Sequence, residues 1–275
     1  MSLAGKFDLS DRVFAITGGA GFLGEQHARA IAEFGGRPVI LDVDVVRGAA
    51  VASEISKTYD VRSHFIECDI SDEADVSAAK EECLREFDRI DGLINNATID
   101  PKVGASEGGS LSRLEDFALE QWERELKVGL TGAMLCSKVF GQEMACRDRG
   151  VIVNIASDLG VIAPDQRLYR RDQDSEASQP VKPVTYSVIK HGIIGLTKYL
   201  ATYWARSNIR VNALSPGGVY NGQDESFVNK VTQLIPMSRM AHVDEMKSAV
   251  VFLCSDASSY MTGQNLIIDG GRSVW

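Results

Sequence analysis

Short apolar runs alternate with longer amphipathic stretches along nearly the whole chain, and this alternation limits most strongly how the chain can fold. The apolar runs are rich in β-branched residues and nearly continuous in hydrophobicity, as strands buried on both faces of a parallel sheet are. They are Arg12–Thr17, Pro38–Leu41, His64–Cys68, Gly92–Asn95, Val151–Ile155, Arg210–Leu214 and Asn265–Ile268. The helical stretches are Gly24–Phe34, Glu73–Phe87, Leu119–Met144, Thr185–Trp204 and Val243–Cys254. Strand and helix in turn predict an α/β fold with a parallel sheet, right-handed crossovers and helices on both faces.

No linker or internal repeat divides the chain, so residues 1–275 are predicted to form a single domain. Two stretches interrupt the alternation. Asp100–Ser112 is rich in glycine and serine, which predicts a loop over the edge of the sheet. Pro164–Pro183 is long, polar and charged, and predicts an inserted loop near the mouth of a site at the sheet's edge.

The charge and the polar composition exclude several classes of function. The formal net charge is −9, and an acidic surface repels a phosphate backbone, so nucleic acid is not an expected partner. The five cysteines are scattered and the four histidines lack ligand spacing, so neither disulfides nor a metal site is predicted. No apolar run approaches the roughly 20 residues that a membrane helix needs. The chain is therefore expected to be cytoplasmic, without a membrane partner.

A glycine-rich segment follows the first predicted strand directly. Residues 17–24 read Thr-Gly-Gly-Ala-Gly-Phe-Leu-Gly and lead into a predicted helix. Glycines at such a turn let the backbone approach a pyrophosphate, whose charge then lies at the helix N-terminus. Asp42 closes the next strand, where a carboxylate accepts the ribose hydroxyls and repels a 2′-phosphate. Since no Arg or Lys lies in the glycine loop or directly after Asp42, the pattern predicts NAD rather than NADP.

A tyrosine and a lysine, Tyr186 and Lys190, lie four residues apart in a predicted helix and therefore share one face. The chain also contains, in order, Asn95-Asn96-Ala97, Asn154-Ile155-Ala156-Ser157, Asn212-Ala213-Leu214-Ser215-Pro216-Gly217 and Thr262-Gly263-Gln264 followed by Asp269-Gly270-Gly271. Together these motifs resemble the single-domain branch of the short-chain dehydrogenase/reductase family along almost the whole chain. The resemblance implies a Rossmann-like three-layer αβα sandwich with a seven-stranded, mainly parallel sheet, and nicotinamide at the carboxyl ends of the strands.

The resemblance also implies roles for individual residues. Tyr186 is expected to be the general acid/base, Lys190 its partner, and Ser157 the group that holds the substrate oxygen. The residues expected to bind NAD are Gly18, Gly21, Phe22, Leu23, Gly24, Asp42, Asp69, Ile70, Asn95, Ala97, Tyr186, Lys190, Pro216, Gly217 and Val219. A cation about 4 Å from the phenol is worth roughly 4 kcal/mol at an effective dielectric near 20, before desolvation. Lys190 is therefore expected to lower the pKa of Tyr186 from its usual value near 10.

The sequence departs from the family pattern at several positions. Phe22 stands where single-domain members usually have glycine, a spacing typical of the longer nucleotide-sugar epimerases and dehydratases. Gly129 replaces the asparagine that usually anchors a proton-relay water. Thr98 likewise replaces a usual glycine. The first difference keeps an epimerase or dehydratase open as an alternative, and the second keeps open a catalytically weak regulatory subunit that binds NAD.

Ser157 and Tyr186 are 29 residues apart, a wider separation than the family usually has, and the excess falls in Pro164–Pro183. Two interpretations of this insertion remain open. As a lid, its arginines would suit a phosphate or a carboxylate, because guanidinium donors match those oxygens in pairs. The alternative is a solvated loop of nearly balanced charge. The arginines are Arg167, Arg170 and Arg171.

These features predict an NAD-dependent oxidoreductase that moves a hydride between nicotinamide and a small polar or anionic hydroxy or keto substrate, such as a sugar derivative. The sequence around Tyr186 and at the C-terminus is also similar in style to oxidoreductases of bacterial surface-glycan and flagellin-sugar pathways. A homodimer or homotetramer is expected, because family members pair through two long helices and the C-terminal strand. The corresponding helical stretches here are Leu119–Met144 and Thr185–Trp204.

Overall fold

The computed structural model describes residues 2–100, 103, 112–170, 174–176 and 178–275. Its strands are β1 (Val13–Thr17), β2 (Arg37–Asp42), β3 (His64–Glu67), β4 (Gly92–Asn95), β5 (Gly150–Ile155), β6 (Ile209–Pro216) and β7 (Asn265–Ile268). Within this described part of the chain, all seven strands are parallel and lie in the order β3-β2-β1-β4-β5-β6-β7. The predicted seven-stranded parallel sheet is confirmed.

Helices cover both faces of the sheet and complete the predicted three layers. They are α1 (Phe22–Glu33), α2 (Val45–Tyr59), α3 (Glu73–Phe87), α4 (Leu119–Leu126), α5 (Ala133–Cys146), α6 (Val184–Tyr203), α7 (Glu225–Thr232) and α8 (Lys247–Cys254). Alternate side chains of β1 divide between two cores: Phe14 and Ile16 pack with α1, α2 and α8, whereas Val13 and Ala15 pack with α3, α5 and α6. Burying each large apolar side chain stabilises the fold by about 1.5–3 kcal/mol.

The sequence-based prediction missed helix α2. Val45 and Val46 at its start are exposed, and they obscure the amphipathic pattern that Val51 and Ile55 form on the buried side. The helix begins after Asp44, whose carboxylate accepts a hydrogen bond from the backbone N–H of Arg47 at 3.0 Å. Such a side-chain cap satisfies one of the free N–H groups of the first turn.

Two other predicted helices differ from the structure in their extent. The helix predicted over Leu119–Met144 is divided, because Lys127–Gly132 forms a π-helical segment between α4 and α5. Single π-helical turns inside α-helices occur mostly near functional sites. The helix predicted over Val243–Cys254 begins only at Lys247, after hydrogen-bonded turns over the residues before it.

Part of the inserted segment is anchored to the body of the fold. Within it, residues 166–169 form a 3-10 turn whose Leu168 is buried against Val231, Ile235 and Met240. The ring of Tyr169 lies 5.6 Å from that of Phe227 in α7. Residues 171–173 and 177, and most of the loop predicted over residues 100–112, lie outside the described residues. In the part of the chain that is described, no helix is long and apolar enough to cross a membrane.

Candidate active site

A cleft of about 990 Å³ lies at the carboxyl ends of the strands. It opens where β1 pairs with β2 on one side and β4 on the other, the switch point at which open α/β sheets bind ligands. The glycine loop and Asp42 line one part of the cleft, and Ser157, Tyr186 and Lys190 line another. The fold therefore brings into one cleft two groups of residues that lie far apart in the sequence.

The glycine loop has the close contacts that a dinucleotide-binding turn needs. Gly18 has a φ of 59°, in the left-handed region that favours glycine. A Cβ there would lie 2.9 Å from the Cα of Ala97, and a Cβ on Gly24 would lie 2.1 Å from the carbonyl oxygen of Gly18. The loop is thus folded tightly onto the first turn of α1, whose N-terminus can receive a pyrophosphate. These residues fit a dinucleotide.

Asp42 ends β2 and is fixed in place by two backbone donors. Its carboxylate accepts hydrogen bonds from the N–H of Ala20 at 3.0 Å and from the N–H of Asp44 at 3.1 Å. A cation that the sequence analysis did not identify lies beside it, because α2 brings Arg47 to the loop. Arg47 donates to the carbonyl oxygen of Ala20 and lies 3.3 Å from a carboxylate oxygen of Glu25.

Two neighbouring asparagines at the end of β4 have different surroundings. Asn95, a predicted NAD contact, is buried and donates to the hydroxyl of Ser137 at 3.0 Å and to Asn154 at 2.8 Å. It does not line the cleft, whereas Asn96 does. The Asn96 side chain donates to the carbonyl oxygens of Thr17 and Gly18, both at 3.0 Å, and so holds the glycine loop. The signal for Asn96 was present in the Asn-Asn-Ala motif, but alternation along a strand does not tell which asparagine faces the loop.

Most of the other predicted NAD contacts do line the cleft. Gly24 does not, because it packs beneath the loop. The predicted residues that line the cleft are Gly18, Gly21, Phe22, Leu23, Asp42, Asp69, Ile70, Ala97, Tyr186, Lys190, Pro216, Gly217 and Val219.

The three predicted catalytic residues all line the same cleft. Ser157 lies two residues after the end of β5, and its Oγ accepts a hydrogen bond from the N–H of Leu159 at 3.2 Å. Lys190 is buried in α6; its Nζ donates to the carbonyl oxygen of Ile155 at 2.9 Å and lies 5.6 Å from the ring centroid of Tyr186. The shared helical face thus places phenol and ammonium side by side, as the spacing predicts. Their catalytic roles remain a prediction.

The pKa of Tyr186 is raised rather than lowered from its usual value, so burial outweighs the lowering expected from Lys190. Burial raises the pKa of Tyr186, because a phenolate loses its hydration there, and the Asp100 carboxylate raises it further. The neighbouring Ser157 side chain acts in the opposite direction. Burial also lowers the pKa of Lys190 to about 8. Desolvation of both groups is the larger effect, and the sequence does not show it.

Two ion pairs that the sequence analysis did not identify flank the catalytic residues. Lys182 Nζ lies 2.7 Å from Asp100 Oδ1 and 3.9 Å from the ring centroid of Tyr186. Arg272 Nη1 lies 3.1 Å from Asp158 Oδ2. The sequence indicated these pairs only through the positions of the two cations. Lys182 lies four residues before Tyr186, and Arg272 directly follows the closing Gly-Gly.

Two of the departures from the family pattern face each other. A Cβ on Gly129 would lie 3.4 Å from Thr98 Oγ1 and 2.9 Å from a side-chain carbon of Ile189. Thr98 Oγ1 is buried and lacks a hydrogen-bond partner among the described residues. The threonine and Ile189 therefore take the space that an asparagine at 129 would need.

The described arginines of the insertion do not line the cleft. Arg167 is 85% exposed and pairs with Asp165 at 2.7 Å, and Arg170 is exposed. Arg171 lies outside the described residues. Instead, the insertion contributes Tyr169 and Lys182 to the wall of the cleft. Among the described residues, the candidate partners for a substrate anion are thus not Arg167 or Arg170.

Comparison with known proteins gives a consistent result. The family described as "short chain dehydrogenase" matches residues 12–169, and that described as "Enoyl-(Acyl carrier protein) reductase" matches residues 173–273. D-threitol dehydrogenase of Mycolicibacterium smegmatis is 31% identical, covering 100% of this chain and 97% of its own. NAD-dependent glycerol dehydrogenase of Listeria innocua is 32% identical, and the match covers 98% of this chain and 96% of that protein. The crystal structure of a gluconate 5-dehydrogenase from Burkholderia cenocepacia with NADP and tartrate is 28% identical, with a TM-score of 0.85 over 98% of both chains.

Proposed function

Because the chain belongs to the short-chain dehydrogenase/reductase family, we propose that it is an NAD-dependent dehydrogenase of a polyol or a related sugar derivative. It oxidises one CH–OH group of this substrate to a carbonyl and, in the reverse direction, reduces that carbonyl. The observation that supports this most directly is the meeting of Ser157, Tyr186 and Lys190 in the same cleft as the glycine loop and Asp42. The names of the similar threitol and glycerol dehydrogenases support a polyol as the substrate.

Each catalytic side chain has a task that its surroundings suit. Bound NAD supplies the hydride acceptor. Tyr186 takes the proton of the substrate hydroxyl at its phenol oxygen, and returns it in the reverse direction. Because burial raises the pKa of Tyr186, the phenolate depends on nearby positive charge, which Lys190 and Lys182 provide. Ser157 holds the substrate oxygen.

The preference for NAD rests on Asp42. Its carboxylate is held by two backbone N–H groups and lines the cleft, so a 2′-phosphate would meet a fixed negative charge. Arg47 acts against this preference, but its guanidinium is already engaged by the Ala20 carbonyl and by Glu25. The relatives use both cofactors: the glycerol dehydrogenase is NAD-dependent, and the gluconate dehydrogenase structure contains NADP.

The experiment that tests this function follows the absorbance of the reduced cofactor with NAD and then NADP. The substrates are threitol, glycerol, mannitol, gluconate, keto sugars and nucleotide sugars. Tyr186→Phe should lose at least about 100-fold in kcat, the contribution of a positioned acid/base, while still binding NADH by fluorescence. Tyr260→Phe is the control, because Tyr260 is a fully exposed tyrosine that lies neither in the cleft nor on α6.

Other outcomes would change the assignment. Turnover that survives in Tyr186→Phe would contradict the proposed acid/base. Tightly bound NAD that co-purifies, with a product formed and no net change in added cofactor, would favour a sugar epimerase or dehydratase. NAD binding without turnover of any substrate would favour the regulatory subunit.

We also expect a homodimer or homotetramer, which light scattering during gel filtration would measure. Helix α6 exposes Tyr199 and Tyr203, whose rings stack with centroids 5.8 Å apart. Exposed aromatic pairs are common at the centre of protein interfaces. A monomer at micromolar concentration would contradict this expectation.

A further inference from the structure

A buried ion pair lies beside Ser157. Asp158 and Arg272 both line the cleft, and their side chains are only 5% and 9% exposed. Their closest atoms, Oδ2 and Nη1, are 3.1 Å apart. A buried pair of charges is weak evidence for stability alone, because desolvation offsets much of the attraction. Its position in the cleft therefore calls for another explanation.

The two residues come from opposite ends of the second half of the chain. Asp158 begins the turn that follows β5, and Arg272 begins the 3-10 turn that follows β7. The second turn is held by Asp269, whose carboxylate accepts from the N–H of Gly271 at 2.9 Å and from the N–H of Ser273 at 2.8 Å. Arg272 thus reaches the cleft from a fixed turn rather than from a free C-terminus.

Asp158 connects this pair to the catalytic serine. Ser157 Oγ donates its hydrogen bond to Asp158 Oδ1 at 2.8 Å, while Arg272 lies on the other carboxylate oxygen. A hydroxyl has a single proton, so this contact decides how the Ser157 hydroxyl is oriented and how it meets a substrate oxygen. The N–H of Leu159 donates to Ser157 Oγ and to Asp158 Oδ1, at 3.2 and 2.8 Å, which fixes both acceptors further.

The charge of Asp158 also acts on the proton acceptor. A carboxylate near a phenol opposes formation of the phenolate, and Asp158 is among the groups that raise the pKa of Tyr186. Burial raises the pKa of Asp158 itself, and the Arg272 guanidinium acts against that. The charged and titratable groups around the phenol are Asp100, Asp158, Tyr169, Lys182, Lys190 and, through Asp158, Arg272.

We propose that Asp158 and Arg272 are positioning residues for the dehydrogenase reaction: Asp158 orients the Ser157 hydroxyl, and Arg272 neutralises the carboxylate so that Tyr186 can ionise. The proposal rests on the proposed function of this site. It assigns a reaction-related role to the arginine that follows the closing Gly-Gly, which otherwise would serve only to attach the C-terminal turn.

The test measures kcat/KM for polyol oxidation against pH in Arg272→Gln, Asp158→Asn and the double variant. The acidic limb of the profile should move to higher pH in Arg272→Gln, because Asp158 is left uncompensated near Tyr186. The acidic limb should move to lower pH in Asp158→Asn. Each of the two shifts should amount to about half a pH unit or more. The double variant should lie near the wild type. Superimposed profiles, or shifts in one common direction, would overturn the proposal.

A matched control separates this effect from general loss of structure. Arg12 and Asp256 form another partly buried pair, 2.9 Å apart, and neither lines the cleft. The double variant Arg12→Gln with Asp256→Asn should lower the urea concentration at the midpoint of unfolding, but should not shift the acidic limb of the kcat/KM profile. An equal shift of the limb in this control would show that the effect is not local, and would overturn the proposal.

If the wild type turns over no substrate, the proposed function is wrong, and a second measurement then tests the coupling between Ser157 and Arg272. Ser157→Ala, Arg272→Gln and their double variant then form a double-mutant cycle in urea unfolding. If Asp158 couples the two residues, the effects should differ from additivity by about threefold or more in the unfolding constant. Additive effects would show that Arg272 does not act on Ser157.

Discussion

The ammonium group of Lys182 lies over the ring of Tyr186, with Nζ 3.9 Å from the ring centroid, and is held there by Asp100 at 2.7 Å. Lys190 lies beside the same ring at 5.6 Å. Two lysines therefore lie near the phenol ring, of which the family resemblance implies only one. A cation over an aromatic face is attracted by the ring, and it also favours the ionised phenol.

Lys182→Met should lower kcat/KM for oxidation near neutral pH by about tenfold, equivalent to about one pKa unit. The physical reason is that Tyr186 then faces the Asp100 carboxylate without a compensating cation, so the pKa of Tyr186 rises and the acidic limb moves to higher pH. Asp100→Asn should move the limb the other way, and Lys182→Arg should retain most of the activity. A Lys182→Met profile that matches the wild type would contradict this role.

Asp42→Asn should reduce the preference for NAD over NADP by about 5- to 30-fold, since one like-charge contact at a partly exposed site is worth on the order of 1–2 kcal/mol. The single side-chain oxygen of asparagine can keep the bond from the N–H of Ala20, while the bond from the N–H of Asp44 to the other oxygen is lost. The measurement is the ratio of kcat/KM for the two cofactors. Adding Arg47→Ala should lower the NADP activity of the variant again. An unchanged ratio in Asp42→Asn would mean that another group selects the cofactor.

Gly129→Asn, which restores the usual family residue, should destabilise the protein by about 1–3 kcal/mol, as overpacked side chains do. Its Cβ would lie 2.9 Å from Ile189 and 3.4 Å from Thr98 Oγ1. Urea unfolding measures the loss, and adding Thr98→Gly should recover part of it. Gly195→Asn is the control, because a Cβ there would meet no atom of the described residues within 4 Å. If the added Thr98→Gly brings no recovery, the two positions are independent.

His27 should make the protein sensitive to acid. Its imidazole is completely buried in α1, neither ring nitrogen has a partner among the described residues, and burial lowers its pKa to about 4 from 6.5. As the pH falls from 6.5 to 4, the unfolded chain takes up a proton that the folded one does not, so stability is lost over that window. The loss is at most about 3 kcal/mol.

His27→Leu should remove this slope, measured as the difference between urea unfolding free energies at pH 7.5 and pH 5. His191→Gln serves as the control, because His191 is exposed on α6. An equal pH dependence in His27→Leu and the wild type would assign the acid sensitivity to other groups.

The sheet was predictable because its signals are local. Each strand is a short apolar run, and the switch from strand to helix is visible in the periodicity. Helix α2 was missed because Val45 and Val46 are apolar but exposed, which hides the amphipathic pattern. The divided helix at Lys127–Gly132 was missed because a π-helical turn has no local signature in the sequence.

For the candidate site, the sequence by itself determined the order of the motifs, the glycine loop, Asp42 and the shared face of Tyr186 and Lys190. These follow from spacing along one or two elements, where chain geometry fixes which side chains are neighbours.

Only the tertiary structure decided which charges surround the phenol. Lys182 with Asp100, Arg272 with Asp158, and Thr98 against Gly129 are contacts between segments that are distant in sequence. Burial, which sets the pKa direction of both Tyr186 and Lys190, is likewise a property of the packed fold. The effect of a charge or a hydroxyl on the phenol depends on its distance from the phenol and on how far both groups are buried. Both the distance and the burial are set only when the chain has folded.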